Sequence, residues 1–411
     1  MKHCFSVLIL SVIMTVACTT NEIQVVQESS STIPIDEAMA TLNNALSVLK
    51  PQTKSGASRE IAEVLTVAIN DIIAKASDEK IAYVVNFKDD QGFALLAADR
   101  SLPDPIIAIV ENGTMDKNLK IHSVLEKKGS TSQDSSAIFI EQLINGYIIC
   151  NEGGGEGGDD DEEHPDDYPE DPGTPWSPGS PAGWTVYSTV NPMVPLLWNQ
   201  YYPFNENYPI YSGEEHRKAG CVPLAVAMIM TYHQYPNILT INGHTINWNL
   251  VNQVLRVTNG NVNPGYLGFD DVSELVYWVG LGCNMTYLPF NNTFAWPEDA
   301  KDFLQFCGYT NATNHLSYDA DLIIDMLENS KPVFIAADVH AWVIDGMIRL
   351  RNGSDYRDLF HCNMGWGGPC NGYYASRTFK SSKRIYTDSD YADGDIDRSF
   401  SYNTVFRIIT Y

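Results

Sequence analysis

The chain has 411 residues, enough for two domains of ordinary size, and 44% of them are hydrophobic, which is typical of globular proteins. Its formal net charge is −25, from 26 Lys and Arg against 51 Asp and Glu. This balance, without any stripe of basic residues, excludes a nucleic-acid-binding protein, which needs Lys and Arg for the phosphates.

Residues 1–18 have the features of an export signal. Lys2 gives a positive start, and residues 4–16 form an apolar run that is too short to cross a bilayer. Ala17-Cys18 then resembles a bacterial lipobox, although Thr15 stands where leucine is usual. We therefore expect a signal peptide and lipidation at Cys18. The protein would be exported and held at the cell envelope or surface by a lipid anchor, or secreted after processing.

Residues 33–150 have the pattern of a small α+β domain. We expect helices from Asp36 to Leu49, Ser58 to Ala76 and Ala137 to Tyr147, and strands from Ile81 to Phe87, Phe93 to Ala97 and Ile106 to Val110. The polar sequence between the first two strands ends in glycine and predicts a hairpin turn.

Residues 151–182 change in composition to glycine, acidic residues and proline. Such a stretch cannot bury a core, so we expect an exposed linker and an easy site for proteolysis. Composition alone leaves open whether it is a spacer or an activation segment.

Residues 183–411 form the larger predicted domain. We expect helices from Cys221 to Tyr235, Asp271 to Val279, Glu298 to Phe306 and Asp319 to Asn329. Strands should follow from Val333 to Ala337, Ala341 to Leu350, Leu359 to Asn363 and Thr404 to Thr410. Helices first and an antiparallel sheet afterwards predict an α+β domain.

Cys221 follows Gly220 at the start of a helix that is apolar on nearly every face. Unpaired backbone N–H groups and the positive end of the helix dipole favour a thiolate at this position, as a cysteine nucleophile requires. A cysteine among apolar residues is also often simply buried, so this position alone does not establish catalysis.

His340 begins a strand that returns through a turn near Asn352-Gly353. That hairpin would bring His340 opposite roughly residue 365, give or take about two, so Asn363 is a candidate to orient the imidazole. The oxyanion needs hydrogen-bond donors, for which we expect the Cys221 amide and the side chain of Gln200.

Four segments in the same order resemble the streptopain-like cysteine peptidases. They are Gly220-Cys-Val…Tyr-His-Gln-Tyr-Pro236, Leu196-Leu-Trp-Asn-Gln200, His340-Ala-Trp-Val-Ile-Asp-Gly346 and His361-Cys-Asn-Met-Gly-Trp-Gly-Gly368. The resemblance implies a papain-like fold, with a helical half and a sheet half flanking a cleft. It implies Cys221 as nucleophile, His340 as proton carrier, Gln200 at the oxyanion and Asn363 as orienting residue. Trp366 and Gly367 would line the cleft wall.

Upstream, Tyr83-Val-Val-Asn-Phe87 and Gly92-Phe-Ala-Leu-Leu-Ala-Ala-Asp99 are similar to the propeptide of that family. The resemblance therefore implies that residues 33–150 fold against the catalytic domain as an intramolecular inhibitor, and it favours the activation segment for the linker. Met364 stands where the family has a tryptophan, whose loss would leave the histidine less shielded from water.

The function that we expect is a thiol endopeptidase made as a zymogen and acting on protein or peptide substrates. The alternatives are a catalytically weakened or silent surface lipoprotein of the same fold that binds peptide or protein, and an acyl transferase of that fold. No cluster has metal-ligand spacing, so we expect no metal or other cofactor. Cleavage preference and the pairing of Cys283, Cys307, Cys362 and Cys370 stay open.

Overall fold

The computed structural model describes residues 31–49, 59–72, 78–122, 134–152, 183–255, 268–289, 291–337, 340–379 and 407–411. The expected lipidation site Cys18 and nearly all of the linker therefore lie outside the described residues. In the described part of the chain, no helix has the length and apolar character needed to cross a membrane.

The helices are α1 (Ile35–Val48), α2 (Ile69–Ile72), α3 (Asp134–Glu152), α4 (Cys221–His233), α5 (Trp248–Val251), α6 (Phe269–Gly282), α7 (Pro297–Phe306) and α8 (Ala320–Glu328). The strands before the linker are β1 (Ile61–Ala68), β2 (Lys80–Phe87), β3 (Phe93–Ala97), β4 (Ile106–Val110), β5 (Thr114–Met115) and β6 (Ile121–His122). Those after it are β7 (Thr185–Val190), β8 (Ile210–Ser212), β9 (Glu215–His216), β10 (Thr240–Ile241), β11 (His244–Thr245), β12 (Thr286–Tyr287), β13 (Thr293–Phe294), β14 (Thr313–His315), β15 (Val333–Ala337), β16 (His340–Asn352), β17 (Asp355–Asn363), β18 (Gly372–Ala375) and β19 (Arg407–Thr410).

One predicted element is wrong: the helix expected from Ser58 to Ala76 is instead strand β1 followed by the single turn α2. β1 pairs antiparallel with β2, for example Val64 with Val85. Its apolar residues fit either a helix or a strand by local pattern, and pairing with β2 decides between them.

The sheet runs without a break from the part of the chain before the linker to the part after it. Its order is β1-β2-β3-β4-β18-β17-β16-β15-β19-β14, with β7 also paired to β16. The junction is the antiparallel pair β4–β18, in which Ala108 lies opposite Tyr374. Backbone hydrogen bonds therefore join residues 33–150 to the part of the chain that follows the linker.

Two hydrophobic clusters cover the two faces of this sheet, and β16 contributes to both because successive side chains of a strand alternate between faces. Trp342 and Ile344 pack into the first cluster, which contains the apolar residues of α1, α3 and β1–β4. Ala341 and Val343 pack into the second, around α4, α6 and α7. The first cluster thus spans both sides of the linker.

Candidate active site

Cys221 is the first residue of α4, and its neighbours on the helix are buried from Val222 to Thr231. Gly220 before it has φ 85°, a conformation that favours glycine. Cys221 itself is half-buried. Burial raises the pKa of its thiol, while backbone N–H groups of Ala341, Val222 and Cys221 lower it. Cys221 packs against the hydrophobic cluster that contains Ala341, the residue after His340.

His340 is the first residue of β16 and is buried. Its Nε2 donates a hydrogen bond to the Met364 carbonyl at 2.9 Å, since a carbonyl can only accept. Nδ1 is then the acceptor nitrogen of the ring. Burial lowers the pKa of His340 to about 4, and the Met364 carbonyl opposes that shift. The imidazole is therefore neutral at neutral pH.

Three aromatic rings surround His340. Trp366 stacks on it with centroids 4.3 Å apart, and Trp342 lies parallel at 5.8 Å. Phe139 of α3 packs edge-on at 5.6 Å. Trp366 thus supplies an aromatic shield for His340 although Met364 occupies the tryptophan position of the family. The contacts of His340 with Met364 and Trp366 confirm the prediction that it lies opposite a residue near 365.

Asn363 is the last residue of β17 and is buried. Its Nδ2 donates to the carbonyls of Val194 and Leu196, at 3.1 and 2.8 Å, and its Oδ1 accepts from the Gly365 amide. In the described residues the hydrogen-bond partner of His340 is therefore the backbone carbonyl of Met364 and not the side chain of Asn363. The orienting role of Asn363 stays a prediction.

The backbone of Gln200 lies near Cys221. Its carbonyl accepts a hydrogen bond at 2.9 Å from the amide of Ala219, which is two residues before Cys221. Gly367, at φ 80°, donates its amide to the carbonyl of Trp198 at 2.7 Å. The loop that carries Trp366 and Gly367 is thereby joined to the segment that carries Gln200. The four segments singled out in the sequence therefore meet in one region.

The sequence reasoning missed two features of this region. Phe139 carries no local signal, since only the folded chain brings α3 to His340. The second is a buried pair formed by Asp345 and His361, with 2.5 Å between Oδ1 and Nδ1. Asp345 lies in the segment 340–346 and His361 in the segment 361–368. Their spacing could have been found from the hairpin register, which places Gly346 opposite His361.

No group of metal-ligating side chains is found in the described part of the chain. The cysteines described there, Cys221, Cys283, Cys307, Cys362 and Cys370, are free thiols.

Several known proteins resemble this chain in sequence or fold. Residues 198–374 match the Peptidase C10 family. Streptopain from Streptococcus pyogenes is 26% identical over 217 residues, which cover 44% of this chain and 53% of streptopain. Residues 198–374 therefore resemble a streptopain-like cysteine peptidase. The thiol protease/hemagglutinin PrtT from Porphyromonas gingivalis is 25% identical over 213 residues, 44% of this chain and 23% of that protein.

The chain spans about half the length of the streptopain that it matches. Among solved structures, a fragment of prointerpain A from Prevotella intermedia has a TM-score of 0.51 at 16% identity, covering 85% of this chain and 98% of the fragment. This likeness concerns the fold alone. The fold is α+β, with a papain-like domain preceded by a small α+β domain.

Proposed function

We propose that the protein is the latent precursor of an exported thiol endopeptidase. The thiol of Cys221 gives its proton to Nδ1 of His340, and the sulfur attacks the peptide carbonyl. The C–N bond then breaks as the departing amine takes that proton, and water hydrolyses the thioester. The observation that carries the proposal is the packing of Cys221 against the hydrophobic cluster that contains Ala341, the residue after His340.

Gln200 and the Cys221 amide would stabilise the oxyanion, and Asn363 would orient His340 once the imidazole is charged. Protein or peptide chains are the substrates that a papain-like cleft serves. Trp366 and Gly367 would form part of its wall. The mechanism uses no metal or cofactor.

Latency is supported by the electrostatics of the site. Papain-like catalysis works through a thiolate beside an imidazolium, but here burial raises the pKa of Cys221 and lowers that of His340. Both groups are neutral while Phe139 covers the ring. We therefore propose that residues 33–150 are the inhibitory propeptide and residues 183–411 the peptidase, with activation by cleavage in residues 151–182.

Export through a signal peptide at residues 1–18 and a lipid anchor at Cys18 complete the proposal. Metabolic labelling of expressing cells with a fatty-acid analogue would test the anchor, with Cys18→Ala as its control. Label that is retained by the Cys18→Ala protein would contradict lipidation at this residue.

The catalytic proposal is tested with full-length protein whose linker has been cut and whose propeptide fragment has been removed by prolonged digestion with subtilisin, which is then blocked with a serine-peptidase inhibitor. We expect wild type to digest a denatured protein and Cys221→Ala to be inactive. Cys283→Ala removes a buried thiol elsewhere and is the matched control. An epoxide inhibitor of papain-like enzymes should modify Cys221 stoichiometrically. Equal digestion by wild type and Cys221→Ala would refute the assignment, and absence of labelling would favour a silent binding protein.

A further inference from the structure

Asp345 and His361 form an ion pair inside the protein, on the neighbouring strands β16 and β17. Asp345 is 0% exposed and His361 is 4% exposed. His361 Nδ1 donates to Asp345 Oδ1 at 2.5 Å. A carboxylate with no access to water needs such a partner, because an isolated buried charge takes up a proton instead. Catalysis as proposed above makes no use of this pair.

The second oxygen of Asp345 binds the segment that leads to Gln200. Asp345 Oδ2 accepts from the Val194 amide at 2.7 Å. From the next strand, Asn363 Nδ2 donates to the carbonyl of the same Val194 at 3.1 Å. We define residues 193–200 as the glutamine segment. Its first half is therefore fixed to both strands of the β16–β17 hairpin.

The second half of the glutamine segment is fixed to the surroundings of the nucleophile. The Gly367 amide binds the Trp198 carbonyl at 2.7 Å, and the Ala219 amide binds the Gln200 carbonyl at 2.9 Å. Ala219 lies two residues before Cys221. A shift of the segment at Val194 would therefore move Gln200 relative to the sulfur.

We propose that Asp345, held in place by His361, is a positioning residue that fixes Gln200 relative to Cys221 for oxyanion stabilisation. The inference rests on the proposed peptidase function. Oxyanion donors act only when aimed at the developing charge, so a displacement of Gln200 by a fraction of an ångström reduces turnover without weakening substrate binding.

The carboxylates around His361 favour its protonated form. Burial alone lowers the pKa of His361, but the carboxylates of Asp345 and Glu111 raise it to about 10. Glu111, at 3.4 Å from Nε2, belongs to the propeptide part, whereas Asp345 remains after processing. The ring of Tyr373 packs edge-on against His361 at 4.9 Å. Further titratable groups within electrostatic reach of Asp345, Glu111 or Tyr373 are Arg59, Tyr232, Cys362 and Tyr374.

The test compares wild type and Asp345→Asn as full-length protein processed with subtilisin. We expect kcat and kcat/KM of Asp345→Asn to fall together by about 10-fold or more, towards the 10²–10³ typical of a lost oxyanion donor, with KM unchanged. The pH profile of Cys221 alkylation by iodoacetamide should be unchanged, because that reaction needs the thiolate but no oxyanion donor.

A double-mutant cycle with Gln200→Ala decides whether Asp345 acts through Gln200. We expect Asp345→Asn to have little further effect in the Gln200→Ala background. Asp358→Asn breaks the Arg349–Asp358 ion pair of the same hairpin and is the matched control, with expected full activity. His361→Gln, checked for folding by thermal melting, should repeat the loss in case Asp345→Asn fails to fold.

Multiplicative losses in the cycle, or full activity of Asp345→Asn, would overturn the inference while wild-type activity still supported the peptidase. An inactive wild type would refute the peptidase function itself, which is a separate outcome.

Discussion

The ring of Phe139 lies edge-on against the imidazole of His340, with centroids 5.6 Å apart and an interplanar angle of 68°. The two residues are separated by the whole linker, yet Phe139 belongs to the same hydrophobic cluster as Trp342, which lies parallel to His340. This contact joins the α3 helix of the propeptide part directly to the candidate base. Its removal should alter the reactivity of the site before any cut in the chain.

Phe139→Ala should make the uncut precursor more reactive. Loss of the ring opens the site to water, which raises the pKa of His340 towards its usual range and helps Cys221 to ionise. We expect iodoacetamide to alkylate Cys221 several-fold faster at pH 7. The precursor should also lose about 3 kcal/mol of unfolding free energy, as large-to-small core changes do. Phe306→Ala, at an exposed phenylalanine, is the control and should change neither value.

Acidification should destabilise the precursor through His340. Its folded pKa of about 4 lies below the ordinary 6.5, so between these values the unfolded chain binds a proton that the folded chain does not. Stability is fully present above pH 6.5 and decreases towards pH 4, by at most about 3 kcal/mol for this group.

The measurement is urea unfolding at pH 7 and pH 4.5 in a Cys221→Ala background, which prevents self-cleavage. His340→Gln should reduce the difference between the two pH values. Burial also lowers the pKa of His233 to about 4, so His233→Gln is the matched control with a separate, additive effect. An undiminished pH difference in His340→Gln would contradict the prediction.

Gly372→Ala should weaken propeptide docking. A Cβ at Gly372 would stand 2.3 Å from the backbone oxygen of Ile109, so β4 cannot keep its pairing with β18. After the linker is cut, we expect the propeptide fragment to separate from the variant during gel filtration and to remain bound in wild type. Gly353→Ala, where a Cβ meets nothing within 4 Å, should keep the fragment.

Asp104 is a buried acid in the part of the chain before the linker. It lies 3.8 Å from Arg357 and 3.6 Å from Arg377, two arginines of the part after the linker. Asp104→Ala would leave the buried Arg357 without this carboxylate, a change that costs about 3–5 kcal/mol for a buried pair. We expect an added protease to process the Asp104→Ala precursor faster than the wild-type precursor. Glu60→Ala at the exposed Lys88 pair is the control, and equal processing of the two variants would contradict the prediction.

Much of the fold could be predicted from local sequence. The β3 and β4 bounds agree with the predicted strands, and α4 begins at Cys221 as predicted. These elements are continuous apolar runs, and their length and flanking turn residues decide between strand and helix. Ile61–Ala68 has an ambiguous period, and its strand conformation depends on pairing with β2, which the local pattern does not contain.

The sequence by itself determined the nucleophile helix, the histidine strand and the hairpin that brings His340 opposite residues near 365. Each follows from periodicity and turn residues within a short stretch. Tertiary structure alone decided that β4 pairs with β18, that Phe139 covers His340 and that Asp345 binds both His361 and Val194. Burial sets the protonation of Cys221 and His340, and the carboxylates of Asp345 and Glu111 set that of His361. Both depend on contacts between residues far apart in the chain.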